Sequence, residues 1–178
     1  SWGSPSRAHP VNLLIDPSHG FGTGTHESTQ LCLLALESTA SEVRSLLDVG
    51  TGSGILAIAA QNLNPTLNVL AFDIDPLAVD AARENFLKNR IPAPKLWVGE
   101  TLALSGQFEL VVANLTAVII CRLASEIGRL AREYLIVSGF TVDQGPLVLE
   151  SLGKDFELLQ VFSRNDWLCY KLRAWQEP

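Results

Sequence analysis

Acids, amides and glycines recur along this chain of 178 residues at intervals that could hold a small polar ligand. Gly50, Gly52 and Gly54 alternate between an apolar run, Leu46-Leu47-Asp48-Val49, and a second apolar stretch at helical spacing from Ile55. That order predicts strand, tight turn, helix. Glycine takes dihedrals closed to other residues and lets a ligand come close to the main chain. The start of the following helix adds unpaired N–H groups and a positive dipole end. Asp73 ends a further apolar run, Asn68 to Phe72. A carboxylate there can accept both hydroxyls of a ribose; the rival reading makes it a turn cap. Asn114 ends the run Phe108 to Ala113. An amide emerging from a buried strand needs partners, and the rival is a cap on the next helix. Upstream, the segment 16–29 combines glycines, hydroxyl residues, His19 and His26, and reads either as a flexible connector with Thr25 capping a helix or as a loop folded over a ligand.

The spacing discriminates between ligands. A dinucleotide fingerprint requires glycine at its first, third and sixth places, and the sixth place counted from Gly50 is Ile55. Asp48, two residues before the first glycine, would repel a pyrophosphate and suits a ligand with a cationic end. Gly-x-Gly-x-Gly preceded by an acid is characteristic of S-adenosylmethionine-dependent methyltransferases.

The elements that must position these residues follow from punctuation and periodicity. Val11 to Ile15 is a strand candidate and Leu31 to Leu36 the centre of an amphipathic helix. Strands are expected at 45–49, 68–73, 95–98, 108–113 and 134–138. Helices are expected at 55–63, 76–89, 118–132 and 146–152, the second opened by Asp75 as N-cap and Pro76 at the first helical position. Phe156 to Ser163 and Trp167 to Leu172 read as a closing antiparallel hairpin. Strands alternating with helices describe a doubly wound, Rossmann-like α/β sheet, here mostly parallel and seven-stranded. Right-handed crossovers then align Gly50, Asp73 and Asn114 along one edge. Gly99-Glu100-Thr101 follows a strand at that same edge, where an adenine is often touched.

Composition narrows the class. With 47% hydrophobic residues the chain can bury one proper core, so residues 15–178 are expected to form a single domain behind a linker or arm at 1–14. The three cysteines, Cys32, Cys121 and Cys169, are widely spaced among apolar neighbours and read as buried free thiols. No grouping suggests a metal. A formal charge of -6, with lysines and arginines scattered, tells against direct nucleic-acid binding. No membrane-length apolar run or leader pattern is visible, and a cytoplasmic setting is expected. The sequence has no methionine, so it is expected to begin inside a longer product or behind a cleaved tag.

Phe21-Gly22-Thr23-Gly24-Thr25-His26 with Thr29, the run Asp48 to Ala60, Asp73-Ile74-Asp75-Pro76, Val111-Val112-Ala113-Asn114-Leu115 and Ser138-Gly139 together resemble the PrmA family. Its members are bacterial enzymes that methylate amino groups of the large-subunit ribosomal protein eleven. The resemblance implies S-adenosylmethionine as cofactor, touched by Thr29, Gly50, Asp73 and Asn114, with Asp48, Gly52 and Gly54 completing the turn. It implies a ribosomal protein as substrate, methyl transfer to lysine or N-terminal amines with Asn114 near the reacting amine, and a separate N-terminal recognition domain with no counterpart in this chain. Glu27-Ser28 replaces a common Pro-Thr pair, Gly20 an alanine, and Ala131-Arg132-Glu133 the usual Pro-Gly-Gly. Two alternatives stay open: a methyltransferase of the same fold acting on another protein or small amine, and a cofactor-binding module without catalysis.

Overall fold

A computed structural model describes residues 12–16, 24–101 and 104–175. Its elements, in chain order, are α1 (Glu27–Glu37), β1 (Ser45–Val49), α2 (Ile55–Leu63), β2 (Asn68–Asp73), α3 (Pro76–Lys88), β3 (Lys95–Val98), β4 (Phe108–Asn114), α4 (Ala117–Leu130), β5 (Ala131–Thr141), α5 (Gly145–Leu152), β6 (Phe156–Arg164) and β7 (Trp167–Ala174). The seven strands form one sheet in the order β3-β2-β1-β4-β5-β7-β6. Pairing is parallel from β3 to β5 and antiparallel where β7 inserts between β5 and β6. The expected doubly wound sheet with a terminal hairpin is therefore the architecture found.

Both faces of the central strands are covered, which is why β1 and β4 carry consecutive apolar pairs, Leu46-Leu47 and Val111-Val112, rather than strict alternation. On one face α1 and α2, with Phe86 from α3, bury Leu46, Val69, Val112 and Ile136. On the other, α4 and α5 bury Leu47, Val111, Leu135 and Val137. The strand order reverses at β1, with β2 on one side and β4 on the other. The carboxyl ends of β1, β2 and β4 thus flank one crevice, the place where open α/β sheets bind ligands.

Several expectations need correction. Val11 and the stretch 17–23, including Phe21-Gly22-Thr23, lie outside the described residues. Asn12 to Ile15 is not a strand; the amide of Asn89, the C-cap of α3, takes the polar groups of Leu14, and Asn85 of α3 the N–H of the adjoining Asp16, in place of a neighbouring strand. Asn89 Oδ1 accepts from the Leu14 N–H at 2.9 Å, Asn89 Nδ2 donates to the Leu14 carbonyl at 2.7 Å, and Asn85 Oδ1 accepts from the Asp16 N–H at 2.9 Å. Helix α1 begins at Glu27, and His26 rather than Thr25 is its N-cap, its Nδ1 accepting the Ser28 N–H at 3.3 Å. No turn separates α4 from β5, which starts at Ala131 and runs three residues past Ser138. Cys32 and Cys169 are buried as expected and burial pushes the Cys169 thiol up, but Cys121 is half-buried.

Candidate functional site

The turn after β1 is built around its glycines. Gly50, Gly52 and Gly54 have φ of 68°, 54° and 80°, all in the left-handed region that side chains disfavour. Space is a second constraint at two of them. A Cβ on Gly50 would lie 2.6 Å from Leu115 Cδ2, and one on Gly54 would lie 3.1 Å from Ala82 Cβ, where α3 packs under the turn. The turn is fastened by the Thr51 N–H donating to the Phe72 carbonyl at 2.9 Å and by the Asn85 amide donating to the Ser53 carbonyl at 2.9 Å. Asn85 is fully buried and bridges the turn to Asp16. Sequence reading missed it, although an asparagine beside Phe86 on an otherwise apolar helix face was a usable signal.

Asp48 lies beneath this turn with 1% of its surface exposed. Its Oδ2 accepts the Thr51 hydroxyl at 2.7 Å, and its carboxylate also takes the Ala57 N–H from the first turn of α2. Gly54, the residue before α2, supplies no side-chain cap, so Asp48 helps to satisfy that helix end. Burial pushes its carboxyl up to about 7 against the hydrogen bonds of Thr51 and Ala57, and the nearby Asp73 adds to the rise.

Asp73 ends β2 half-buried and organises two neighbours at once. Its Oδ2 accepts the Gly52 N–H at 3.0 Å and its Oδ1 accepts the Asp75 N–H at 3.1 Å. Each carboxylate oxygen has a further lone pair, so both can still accept from a ligand diol. Asp75 in turn caps α3, its Oδ1 accepting the Leu77 N–H at 2.9 Å. The turn and the strand-end acid are thereby one hydrogen-bonded unit.

Asn114, at the carboxyl end of β4, donates from Nδ2 to the buried Thr29 hydroxyl at 3.2 Å. That bond joins the start of α1 to the β4 end across 85 positions of sequence. It also fixes the amide so that Oδ1 faces away from Thr29. Behind Asn114 the backbones of two strand ends meet closely. The Leu115 N–H donates to the Ser138 carbonyl at 3.0 Å, and a Cβ on Gly139, whose φ is 97°, would stand 2.3 Å from the Leu115 carbonyl oxygen. Glycine at 139 is therefore what lets Leu115 and Asn114 take their places.

The structure groups Thr29 with Asn114, and Asp48 and Asp73 with the glycine turn, on adjacent strand ends. His26 Nδ1 lies 2.8 Å from Ser28 Oγ, and its ring meets Trp167 edge-on at 4.4 Å. Glu100 is exposed and Thr101 buried at the end of β3, near the tilted Phe72–Trp97 ring pair, whose centroids are 5.3 Å apart. No group of metal-ligating side chains occurs among the described residues. The hairpin was expected, but the contacts of its tip were not. Arg164 Nη1 donates to Gln30 Oε1, Asn165 Nδ2 donates to Glu27 Oε1 at 3.0 Å, and the Val142 N–H donates to the Asp166 carbonyl at 2.9 Å. The tip therefore holds both the start of α1 and the loop after β5.

A ligand with a ribose diol and a charged amino-acid end fits these residues: an acceptor pair at Asp73, a turn at Gly50 to Gly54 with glycine at every second place, and a fixed amide at Asn114. The chain is 40% identical over 163 residues to ribosomal protein L11 methyltransferase of Helicobacter pylori strain J99, covering 90% of this chain and 49% of that protein. It is 39% identical over 171 residues to the protein of the same name from Caldicellulosiruptor saccharolyticus, covering 94% and 56%. The chain thus spans about half the length of these curated relatives. The crystal structure of ribosomal protein L11 methylase from Lactobacillus delbrueckii subsp. bulgaricus superposes with a TM-score of 0.87 at 31% identity, covering 98% of this chain and 91% of that one. Magnesium protoporphyrin IX methyltransferase from Synechocystis PCC 6803 with bound SAM shares the fold at a TM-score of 0.63 and 15% identity, covering 82% and 81%. The fold is that of the class I S-adenosylmethionine-dependent methyltransferases. The profile of the family described as "Ribosomal protein L11 methyltransferase (PrmA)" matches residues 1–174, and the chain belongs to that family.

Proposed function

We propose that this chain is the catalytic domain of a protein N-methyltransferase that uses S-adenosylmethionine, occupying residues 15–178 behind an arm at 1–14. Its substrate is the large-subunit ribosomal protein eleven, modified at lysine or N-terminal amines. The observation that supports this most is the Thr29–Asn114 bond, which holds an amide at the strand end beside the glycine turn and Asp73.

When bound, S-adenosylmethionine would supply an electrophilic methyl group: an N–C bond to the acceptor amine forms as the S–C bond breaks, leaving S-adenosylhomocysteine and a methylated ammonium that sheds a proton to solvent. The residues do the positioning. Asp73 accepts the ribose hydroxyls in charge-assisted bonds. The backbone from Gly50 to Gly54 gives the amino-acid end a close approach. Asn114 Oδ1 accepts one N–H of a neutral amine and so turns the lone pair toward the methyl. An amide takes up no proton, so rate depends on alignment and on delivery of the amine unprotonated. Incubating the chain with isotopically labelled S-adenosylmethionine and purified ribosomal protein, followed by peptide mass spectrometry, tests the proposal. Methyl groups on its amines are expected, with kcat at saturating cofactor reduced at least tenfold by Asn114→Ala. Cofactor binding with no methylated amine would support the non-catalytic module instead.

A further inference from the structure

The rim of the site is chemically lopsided. Among the described residues, the loops and element ends at the carboxyl edge of the sheet bear Glu27, Asp73, Asp75, Glu100, Asp143 and Asp166, while Arg164, bonded to Gln30, is the only lysine or arginine there. At the opposite edge charges of both signs mix: Lys88, Arg90, Lys95, Arg129, Arg132 and Arg173 stand among Glu37, Glu42, Glu109, Glu133, Asp155 and Glu157, and Arg132 pairs with Glu109 and Glu133. One part of the acidic edge is also apolar. Val118 opens α4, Val142 follows β5 and Leu147 lies in the first turn of α5, exposed by 76%, 54% and 57%. Val118 and Leu147 meet through Cys121, and Val142 is tied to the start of α5, the Gly145 N–H donating to its carbonyl at 3.3 Å. Val118 and Cys121 share a helix face one turn apart, and the Cys121 thiol lies 3.9 Å from the Leu147 carbonyl oxygen. The bond between the Val142 N–H and the Asp166 carbonyl places Asp166 beside Val142, with Asp143 next in sequence. Large exposed aliphatics gathered on one rim mark a contact surface more than scattered ones do. This strip starts four residues after Asn114.

We propose that the strip of Val118, Val142 and Leu147, flanked by Asp143 and Asp166, is the docking surface for the acceptor, a lysine-rich protein segment with interspersed aliphatic residues. The proposal rests on the methyltransferase reading and deepens it. Charge complementarity chooses the occupant. An acidic rim draws a cationic segment toward the crevice and raises its rate of encounter, whereas an acidic segment or a nucleic acid is repelled. The aliphatic strip then holds the segment through its apolar residues while one lysine reaches Asn114.

The probe is a 15-residue fluorescein-labelled peptide of alternating Leu-Lys-Lys units, titrated by anisotropy into the chain loaded with S-adenosylhomocysteine. A second peptide carries Glu in place of Lys. The lysine peptide is expected to bind, to weaken at least tenfold in the Val118→Lys, Leu147→Lys double variant, and to weaken about threefold or more in Asp143→Asn, Asp166→Asn. The glutamate peptide should not bind. A matched change on the outer strand, Leu158→Lys with Val161→Lys, should leave affinity unchanged. Calorimetry with S-adenosylhomocysteine checks that every variant is folded and keeps its cofactor site. Equal binding by the strip variant and the wild type would overturn the proposal. So would sedimentation showing the strip buried in a concentration-dependent dimer that the Val118→Lys, Leu147→Lys change dissolves. Because the assay reads binding and not turnover, absence of methyl transfer would count against the methyltransferase reading alone.

Discussion

Asp73 is the residue on which cofactor affinity should depend most directly, because its carboxylate already fixes Gly52 and Asp75 and would add the two ribose hydroxyls. Asp73→Ala should weaken S-adenosylmethionine binding by roughly 1.5–3 kcal/mol, the range for hydrogen bonds to a charged group. Calorimetry on a variant with a normal circular-dichroism spectrum measures this, and an unchanged affinity would remove Asp73 from the site. Asp48 is a different kind of acid. An exposed aspartate titrates near 3.8, and burial pushes this one up to about 7. The folded chain therefore holds the proton more tightly than the unfolded one. The contribution to stability is complete below about 3.8 and is lost as pH rises through about 7. The melting temperature of the wild type should fall between pH 5 and pH 8, and Asp48→Asn should flatten that decline. Parallel curves would show that some other group titrates. From sequence, the spacing of Asp48 to the glycines was legible. Its burial under Thr51 and Ala57 was not, because those bonds arise only once the turn has closed.

Elements were readable where their ends are set by neighbouring residues. Asp75-Pro76 announced α3, since an N-cap acceptor and a proline with fixed φ act within one turn of each other. Ends set from a distance were not readable. Ala131 and Arg132, expected as the end of a helix, are strand because Ala131 pairs with Phe108 and Arg132 reaches Glu109 at 2.7 Å. His26 displaced Thr25 as cap because its ring accepts the Ser28 N–H while packing on Trp167, 141 positions along the chain. The β6–β7 tip acts on the site through such long-range contacts, since it braces the helix that presents Thr29. An edge-on ring pair contributes about 0.5–1.5 kcal/mol. Trp167→Ala should therefore leave the sheet folded but loosen the first turn of α1. Hydrogen exchange at the amides of Ser28 to Gln30 should accelerate several-fold, cofactor affinity should fall, and Trp167→Phe should restore both in part. Exchange that stays at wild-type rates would show that the tip does not brace α1.

At the scale of the whole molecule, the charge pattern and the span of the relatives bear on the same question. The chain aligns with about half of each curated relative, yet the residues grouped around the glycine turn, from Thr29 to Gly139, lie within it. Cofactor binding should therefore be a property of this domain alone. Turnover on the ribosomal protein draws on more than the cofactor site, because contacts remote from the reacting amine normally supply the energy that holds it in line. The acidic, aliphatic rim offers one such contact, and the remaining half of a relative would offer others. The expected outcome is clear binding of S-adenosylmethionine, seen as a ligand-induced rise in melting temperature, together with slow methylation of the ribosomal protein. Fusing the N-terminal half of the Caldicellulosiruptor saccharolyticus relative ahead of Val11 should raise kcat/KM for the protein substrate by an order of magnitude or more. Cofactor affinity should stay the same. Efficient methylation by the unfused chain would overturn this division of labour and leave the rim of this domain as the whole of the recognition surface.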